Sequence, residues 1–215
     1  MVTEIKSKLL VVEGSGGAGK TELTTHLEEY LKKRGINIQK TREPGGVEVA
    51  EEIRDLIFKL KETKSANADQ IAALFMTARY FWMKQLINPG LQDGISFIAD
   101  RSFPSTAVYQ SSEGASMEMI DKMAAIVMQG IKPDLVIFLD VSPGVAMKRR
   151  ANAEGDPFDK LGKRYFYQIV ARYRELYNCN WGGLNWQRID ADQPLKLVFS
   201  EAERIVDVLY NLPNG

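Results

Sequence analysis

One cysteine and one histidine occur in 215 residues, and 28 basic side chains stand against 28 acidic ones. The lone Cys179 cannot close an internal disulfide, so a reducing compartment, the cytoplasm, is expected. No activating neighbour surrounds it, and it reads as a packing residue. The zero formal charge removes the basic excess that a duplex-binding surface needs, so no nucleic-acid partner is expected. Long apolar runs are missing too. Leu9–Val12 and Leu135–Leu139 are strand-sized, far short of a bilayer span, and no membrane partner is expected. Met1–Lys8 is mixed and polar and does not resemble a signal peptide. Internal repeats, low-complexity tracts and inter-domain linkers are absent, so residues 1–215 read as one globular domain.

What is present is a regular alternation. Leu9–Glu13 reads as a strand that enters a glycine-rich loop. Gly19–Arg34 follows as a helix with Leu23, Leu27 and Leu31 on one face, ended by Gly35. Ile36–Thr41, Ser96–Asp100 and Leu135–Asp140 read as strands, and Trp186–Asp190 as a shorter, weaker one. Val47–Leu60 and Asp69–Leu91 read as helices, and Pro194 opens a last one carrying Leu195, Val198, Ala202, Ile205, Val206 and Leu209. This pattern predicts an α/β fold of three layers, with a five-stranded parallel sheet flanked by helices. Residues 148–162, with Gly155, Pro157 and Gly162 among charges, are expected to form a lid.

Gly14-Ser15-Gly16-Gly17-Ala18-Gly19-Lys20-Thr21 fills the pattern G-x-x-x-x-G-K-[ST] between a first strand and a first helix. Four fixed positions arise by chance in such a chain about one time in a hundred. Glycine lets phosphate oxygens approach the backbone, and successive N–H groups at a helix start make an anion cradle. Lys20 is the candidate for the β- and γ-phosphates and Thr21 for Mg²⁺, which points to ATP with Mg²⁺.

Three further segments follow strands. Thr41-Arg42-Glu43-Pro44-Gly45-Gly46 succeeds the second, Phe75 and Arg79 share a helical face, and Asp100-Arg101-Ser102-Phe103-Pro104-Ser105-Thr106-Ala107-Val108-Tyr109-Gln110 follows the third. Parallel sheets bind ligands beyond the carboxyl ends of their strands, so these segments are expected beside the phosphate loop.

Together they resemble the thymidylate kinase family of P-loop nucleoside monophosphate kinases. They are similar to its EG-x-x-G-x-GKT loop, TREPGG segment, F-x-x-x-R helix and DR-x-x-x-S-x-x-x-YQ segment. Pro133-Asp134-Leu135 to Leu139-Asp140-Val141, Ile189-Asp190-Ala191 and Gln193-Pro194-Leu195 resemble its later strands and loops. The resemblance runs from Leu9 to Leu195 in the family's order.

It implies transfer of the ATP γ-phosphoryl group to dTMP. Phe75 would stack on the acceptor base, Arg79, Thr106 and Gln110 would read its edge, and Tyr109 would lie beneath the sugar. Arg42, Arg54 and Arg101 would surround the acceptor phosphate, with Glu43, Pro44 and Ser105 in the same subsite. Lys20, Asp100, Arg101 and Arg42 form the implied catalytic set, and Asp100 joins Thr21 near Mg²⁺. Ile189–Gln193 would lie by the adenine, and Arg149, with Lys148 and Arg150, would close on the transferring group. A homodimer through the helices that begin near Val47, Asp69 and Phe103 is implied as well.

Some positions depart from the family. Gly16 replaces a frequent acidic residue, Ser102 a frequent aromatic or His, and Asp159-Lys160-Leu161-Gly162 matches the lid motif weakly. The aromatic run Tyr80-Phe81-Trp82 suggests a base pocket reshaped for a modified deoxyuridylate. That acceptor, another nucleoside monophosphate and a non-catalytic nucleotide-binding module are the rival readings. No N-K-x-D motif supports a GTPase. His26, the Lys32-Lys33-Arg34 cluster and the Glu51-Glu52 pair read as surface residues, and Trp181-Gly182-Gly183 as a helix terminus.

Overall fold

The computed structural model describes residues 6–150 and 162–213. Five strands, β1 (Leu9–Glu13), β2 (Ile38–Arg42), β3 (Ser96–Asp100), β4 (Leu135–Asp140) and β5 (Trp186–Asp190), form one parallel sheet in the order β2-β3-β1-β4-β5. β5 is as long as β1, so its expected weakness is not seen.

Strand side chains alternate between faces, and each face has its own core. Leu9, Val11, Phe97, Ala99, Val136 and Phe138 bury against α3 (Ala68–Trp82), α5 (Phe103–Ser112), α6 (Met117–Val127) and α8 (Lys163–Asn178). Leu10, Val12, Ile98, Leu135, Ile137 and Leu139 bury against α1 (Lys20–Lys33), α7 (Pro143–Arg150) and α9 (Leu195–Tyr210). Covering both faces removes the solvent side of each strand, which is why β1 and β4 are apolar almost throughout. α2 (Glu48–Thr63) lies outside α3 through Ile57, Ile71 and Phe75.

Several boundaries differ from the sequence reading. Ile36 is not in β2, because its N–H turns back to Leu31 O and helps close α1. The helix expected over 69–91 starts on an Asn67–Gln70 capping box but passes through a π-helical turn, Met83–Ile87, before α4 (Asn88–Gln92). The turn lies just ahead of Pro89, which has no N–H to donate. Cys179 is exposed at the α8 C-cap instead of packed, since the buried face of α8 runs through Phe166, Ile169, Val170, Tyr173 and Leu176. Trp181–Gly183 forms a short 3-10 turn after α8. His26 is half-buried, stacked on Phe199 and within 2.7 Å of Glu203. Of the expected lid, Lys148, Arg149 and Arg150 end α7, while residues 151–161 lie outside the described residues.

Candidate active site

Register builds the site. Arg42 pairs with Asp100, and Asp100 with Val12, so the ends of β2, β3 and β1 are level. The chain leaves all three at the same edge. The three segments therefore meet the phosphate loop, in a cleft of about 1070 Å³ lined from Gly16 to Leu195. That volume slightly exceeds what a single ligand usually occupies, about 300–1,000 Å³.

At the phosphate loop, Gly17 has φ 78°, and a Cβ there would stand 2.5 Å from Ala146 O. Only glycine fits both constraints. Gly14, Ser15 and Ala18 complete the loop beneath, and Gly19 hands over to α1. Lys20 Nζ turns back to Ser15 O at 3.0 Å. Burial, with Arg101 nearby, lowers its pKa to about 7. Thr21 Oγ1 donates to Asp100 Oδ2 at 2.7 Å. These two hard oxygens beside the loop suit Mg²⁺ held jointly with phosphates. Among the described residues no cluster of three or more His, Cys, Asp or Glu could bind a metal without such help.

At the other end, Phe75 and Arg79 lie side by side on α3 and line the cleft, as the spacing predicts. Arg79 Nε donates to both oxygens of Glu43, at 3.0 and 2.7 Å, and Nη2 to Thr106 Oγ1 at 3.2 Å. Glu43 and Arg79 are 4% and 3% exposed, so Glu43 clamps a buried guanidinium beyond any role in the turn. Burial pushes the Glu43 carboxyl up, and Arg79 opposes that shift. Gln110, 1% exposed, lines the cleft with its Nε2 lacking any partner among the described residues. Ser102 is buried beneath them.

The expected arginines converge in three different states. Arg42 is exposed and paired with Glu51 at 2.8 Å, so Glu51 is more than a solvated face; it also accepts the Gly46 N–H. Arg54 donates to Pro44 O at 3.1 Å and lies over the Phe58 ring. Arg101 Nη1 donates to Gly14 O, Ser105 Oγ and Tyr173 Oη, and Nη2 to Tyr109 Oη at 3.4 Å.

The aromatic run does not shape this cleft. Trp82 is fully buried and donates to Thr41 Oγ1 at 2.9 Å, Tyr80 is exposed, and neither they nor Phe81 line the cleft. From Arg79, helical rotation carries Tyr80 and Phe81 off the cleft face, while Trp82, at i+3, is taken up by Thr41. Of the α7 cations, Lys148 stays outside, while Arg149 and Arg150 line the cleft. Arg149 donates to Ala191 O at 2.9 Å, tying α7 to the loop after β5. Arg150 lies against the phosphate loop, its Nη1 1.7 Å from where a Cβ on Gly16 would be. The missing acid at position 16 thus leaves room for a guanidinium. Glu13 and Tyr173, behind Arg101, were not anticipated. The signal for Glu13 was a carboxylate closing an otherwise apolar buried strand.

A G-x-x-x-x-G-K-T loop at the carboxyl edge of a parallel sheet, sharing one cleft with Arg42, Arg54, Arg101, Phe75 and Arg79, is the arrangement of a P-loop nucleoside monophosphate kinase. The thymidylate kinase family model matches residues 12–202. A thymidylate kinase of Francisella tularensis subsp. tularensis (strain WY96-3418) is 30% identical over 213 residues, covering 98% of this chain and 100% of that protein. One from Teredinibacter turnerae (strain ATCC 39867 / T7901) is 32% identical over 202 residues, 93% and 97% of the two chains. The chain belongs to the thymidylate kinase family.

Proposed function

We propose that this cleft transfers the γ-phosphoryl group of ATP to dTMP, giving dTDP, with the named residues in the following roles. The supporting observation is the buried base end, where Phe75, Arg79 and the unpartnered Gln110 amide face the cleft together. A buried amide donor without an acceptor is costly, and a carbonyl-rich pyrimidine edge would satisfy it. Phe75 stacks on the ring, Arg79 and Gln110 meet its carbonyls, Thr106 fixes Arg79, and Tyr109 underlies the sugar.

The acceptor phosphate is largely dianionic at pH 7, so it needs no strong base. The task is to bring two anions in line and cancel their repulsion. Arg42, Arg54 and Arg101 hold the acceptor phosphate, with Glu43, Pro44 and Ser105 supporting them. The Gly14–Thr21 loop and Lys20 hold the donor, whose negative charge restores the Lys20 proton. Arg149 and Arg150 flank the donor side. Mg²⁺ beside Thr21 and Asp100 would neutralise developing phosphate charge.

The whole chain acts as one kinase domain in the cytoplasm. We extend the reading to a homodimer through α2 and α3, where Leu56 and Tyr80 leave apolar surface exposed. α5, also expected at that surface, carries only buried and partly buried residues. Light scattering at micromolar concentration tests the assembly: a monomer would refute it.

Steady-state kinetics with ATP, Mg²⁺ and four deoxynucleoside monophosphates test the chemistry. A cytosine amino group would set a donor against Arg79 and Gln110, at about 1–3 kcal/mol for each group left unpaired. dTMP should therefore exceed dCMP, dAMP and dGMP by at least about tenfold in kcat/KM. Preference for a purine monophosphate would overturn the base assignment.

A further inference from the structure

We infer that Glu13 and Tyr173, neither of which lines the cleft, are positioning residues that hold the Arg101 guanidinium through neutral hydroxyls and so keep it available for the acceptor phosphate. The inference rests on the proposed role of Arg101.

Glu13 ends β1 and is 0% exposed. Its Oε1 accepts the N–H groups of Ser102 at 2.8 Å and Ser105 at 3.2 Å. Its Oε2 accepts the hydroxyls of Ser105 at 2.7 Å and Tyr173 at 2.9 Å. Both hydroxyl oxygens also receive Arg101 Nη1, at 3.0 and 3.3 Å. Arginine only donates, so it fixes the direction of each bond. Nη1 shares its two protons among Gly14 O and the Ser105 and Tyr173 oxygens, and both hydroxyls, themselves 2.9 Å apart, lie within donating reach of Glu13 Oε2. The carboxylate charge thus reaches the guanidinium through these two hydroxyls.

This arrangement matters because of what it avoids. Among the described residues no carboxylate forms an ion pair with Arg101, whereas Arg42 is paired directly with Glu51. A carboxylate in contact would compete with phosphate for the same N–H groups. Asp100, the adjacent carboxylate, is occupied by Thr21. The frame is also rigid. The Tyr173 ring stacks on Phe138 at 5.6 Å, and the Arg101 backbone is held at φ 75°, a conformation non-glycine residues seldom adopt, by its N–H to Val12 O at 3.0 Å. Burial pushes the Glu13 carboxyl up, while Arg101 and the donors oppose it.

Glu13→Gln keeps the shape, removes the charge and turns one acceptor atom into a donor. With ATP and dTMP varied separately, kcat/KM for dTMP should fall about tenfold, the scale of one charge-assisted contact. KM for ATP should stay within about twofold, because the phosphate loop is untouched. Tyr173→Phe keeps the ring and should give a smaller fall of the same kind, so it decides the matter if Glu13→Gln does not fold. In an Arg101→Ala background both substitutions should lose their effect on dTMP. Equal losses in both backgrounds, or an ATP KM rising as much as that for dTMP, would overturn the positioning role while leaving Arg101 as an acceptor ligand. Arg101→Ala without effect on dTMP kinetics would instead sink the acceptor reading itself.

Discussion

Replacing Arg79 by methionine should damage stability and base choice together, and a second substitution should separate them. Arg79→Met keeps an unbranched apolar stem but deletes the Nε–H shared between the Glu43 oxygens at 3.0 and 2.7 Å. Glu43 would remain buried without its cation. Removing one partner of a buried ion pair costs about 3–5 kcal/mol. In a domain of this length each kcal/mol moves Tm by about 2–4 °C, so Tm should fall by about 6–20 °C. The folded Glu43 pKa is already raised by burial, and loss of Arg79 raises it further. A carboxyl whose folded pKa exceeds its unfolded one binds more protons in the native state, so stability falls as pH rises from the unfolded value through the folded one. The Tm deficit should therefore be larger at pH 8 than at pH 5.5. Adding Glu43→Gln removes the stranded charge, and neutral replacement of a buried pair is often nearly free. The double variant should recover most of the lost Tm. It should not recover selectivity, because the guanidinium at the base edge is still absent. Scanning calorimetry at both pH values, with dTMP and dCMP kinetics, reads all of this. A single variant melting within about 2 °C of the parent, well under the smallest loss expected, would refute the energetic argument. A double variant with full dTMP preference would refute the assignment of Arg79 to the base.

Other substitutions probe the remaining parts. Lys20→Ala should abolish transfer without lowering Tm, since burial already works against the Lys20 charge and, among the described residues, its amine bonds to Ser15 O alone; near-normal turnover of the folded variant would refute its role. Gln110→Leu should raise the Tm of the ligand-free protein, because a buried unpartnered amide costs about 1–3 kcal/mol, and should raise KM for dTMP; a lower Tm would mean the amide has a partner after all. Gly16→Ala should displace Arg150 and lower kcat as much as Arg150→Ala, by about tenfold if one charge-assisted contact is lost. Additive losses in the double variant would show that the two act separately.

The parts legible in the sequence were those written in local pattern. The phosphate loop is eight consecutive residues, the strands are short apolar runs, and Phe75 with Arg79 is one helical spacing. The loop and the helical spacing survive as read and the strands survive with a shifted boundary at β2, because backbone geometry alone fixes most of those relations. Strand order did not follow from alternation, since the crossover that sets β3 between β2 and β1 depends on how helices cover both faces. Pairings across long separations were equally hidden. Glu43 meets Arg79 across 36 positions, and Glu13 meets Tyr173 across 160. Tyr173 falls at the spacing of Phe166, Ile169, Val170 and Leu176, so in sequence it is one more apolar ring on a buried face. Its hydroxyl becomes informative only when Glu13 stands opposite.

The three arginines proposed for the acceptor phosphate show why this gap matters for function. Arg42, Arg54 and Arg101 read alike, each a cation in a segment near a strand end. Their surroundings make them unequal. Arg42 is exposed and already bound to Glu51, so phosphate must displace a screened surface pair that contributes little. Arg54 is held at one end by Pro44 O, a neutral acceptor that need not be given up entirely when phosphate arrives. Arg101 is half-buried, charged, and surrounded by hydroxyl oxygens that also donate to Glu13. Burial works against its charge, and the Tyr109 and Tyr173 oxygens, Asp100 and Glu13 outweigh that penalty and raise its pKa. A preorganised cation in a low-dielectric site stabilises developing charge more than a mobile one in water. The phosphoryl acceptor should therefore depend most on Arg101 and least on Arg42, an order set by the second layer of residues that surrounds each guanidinium.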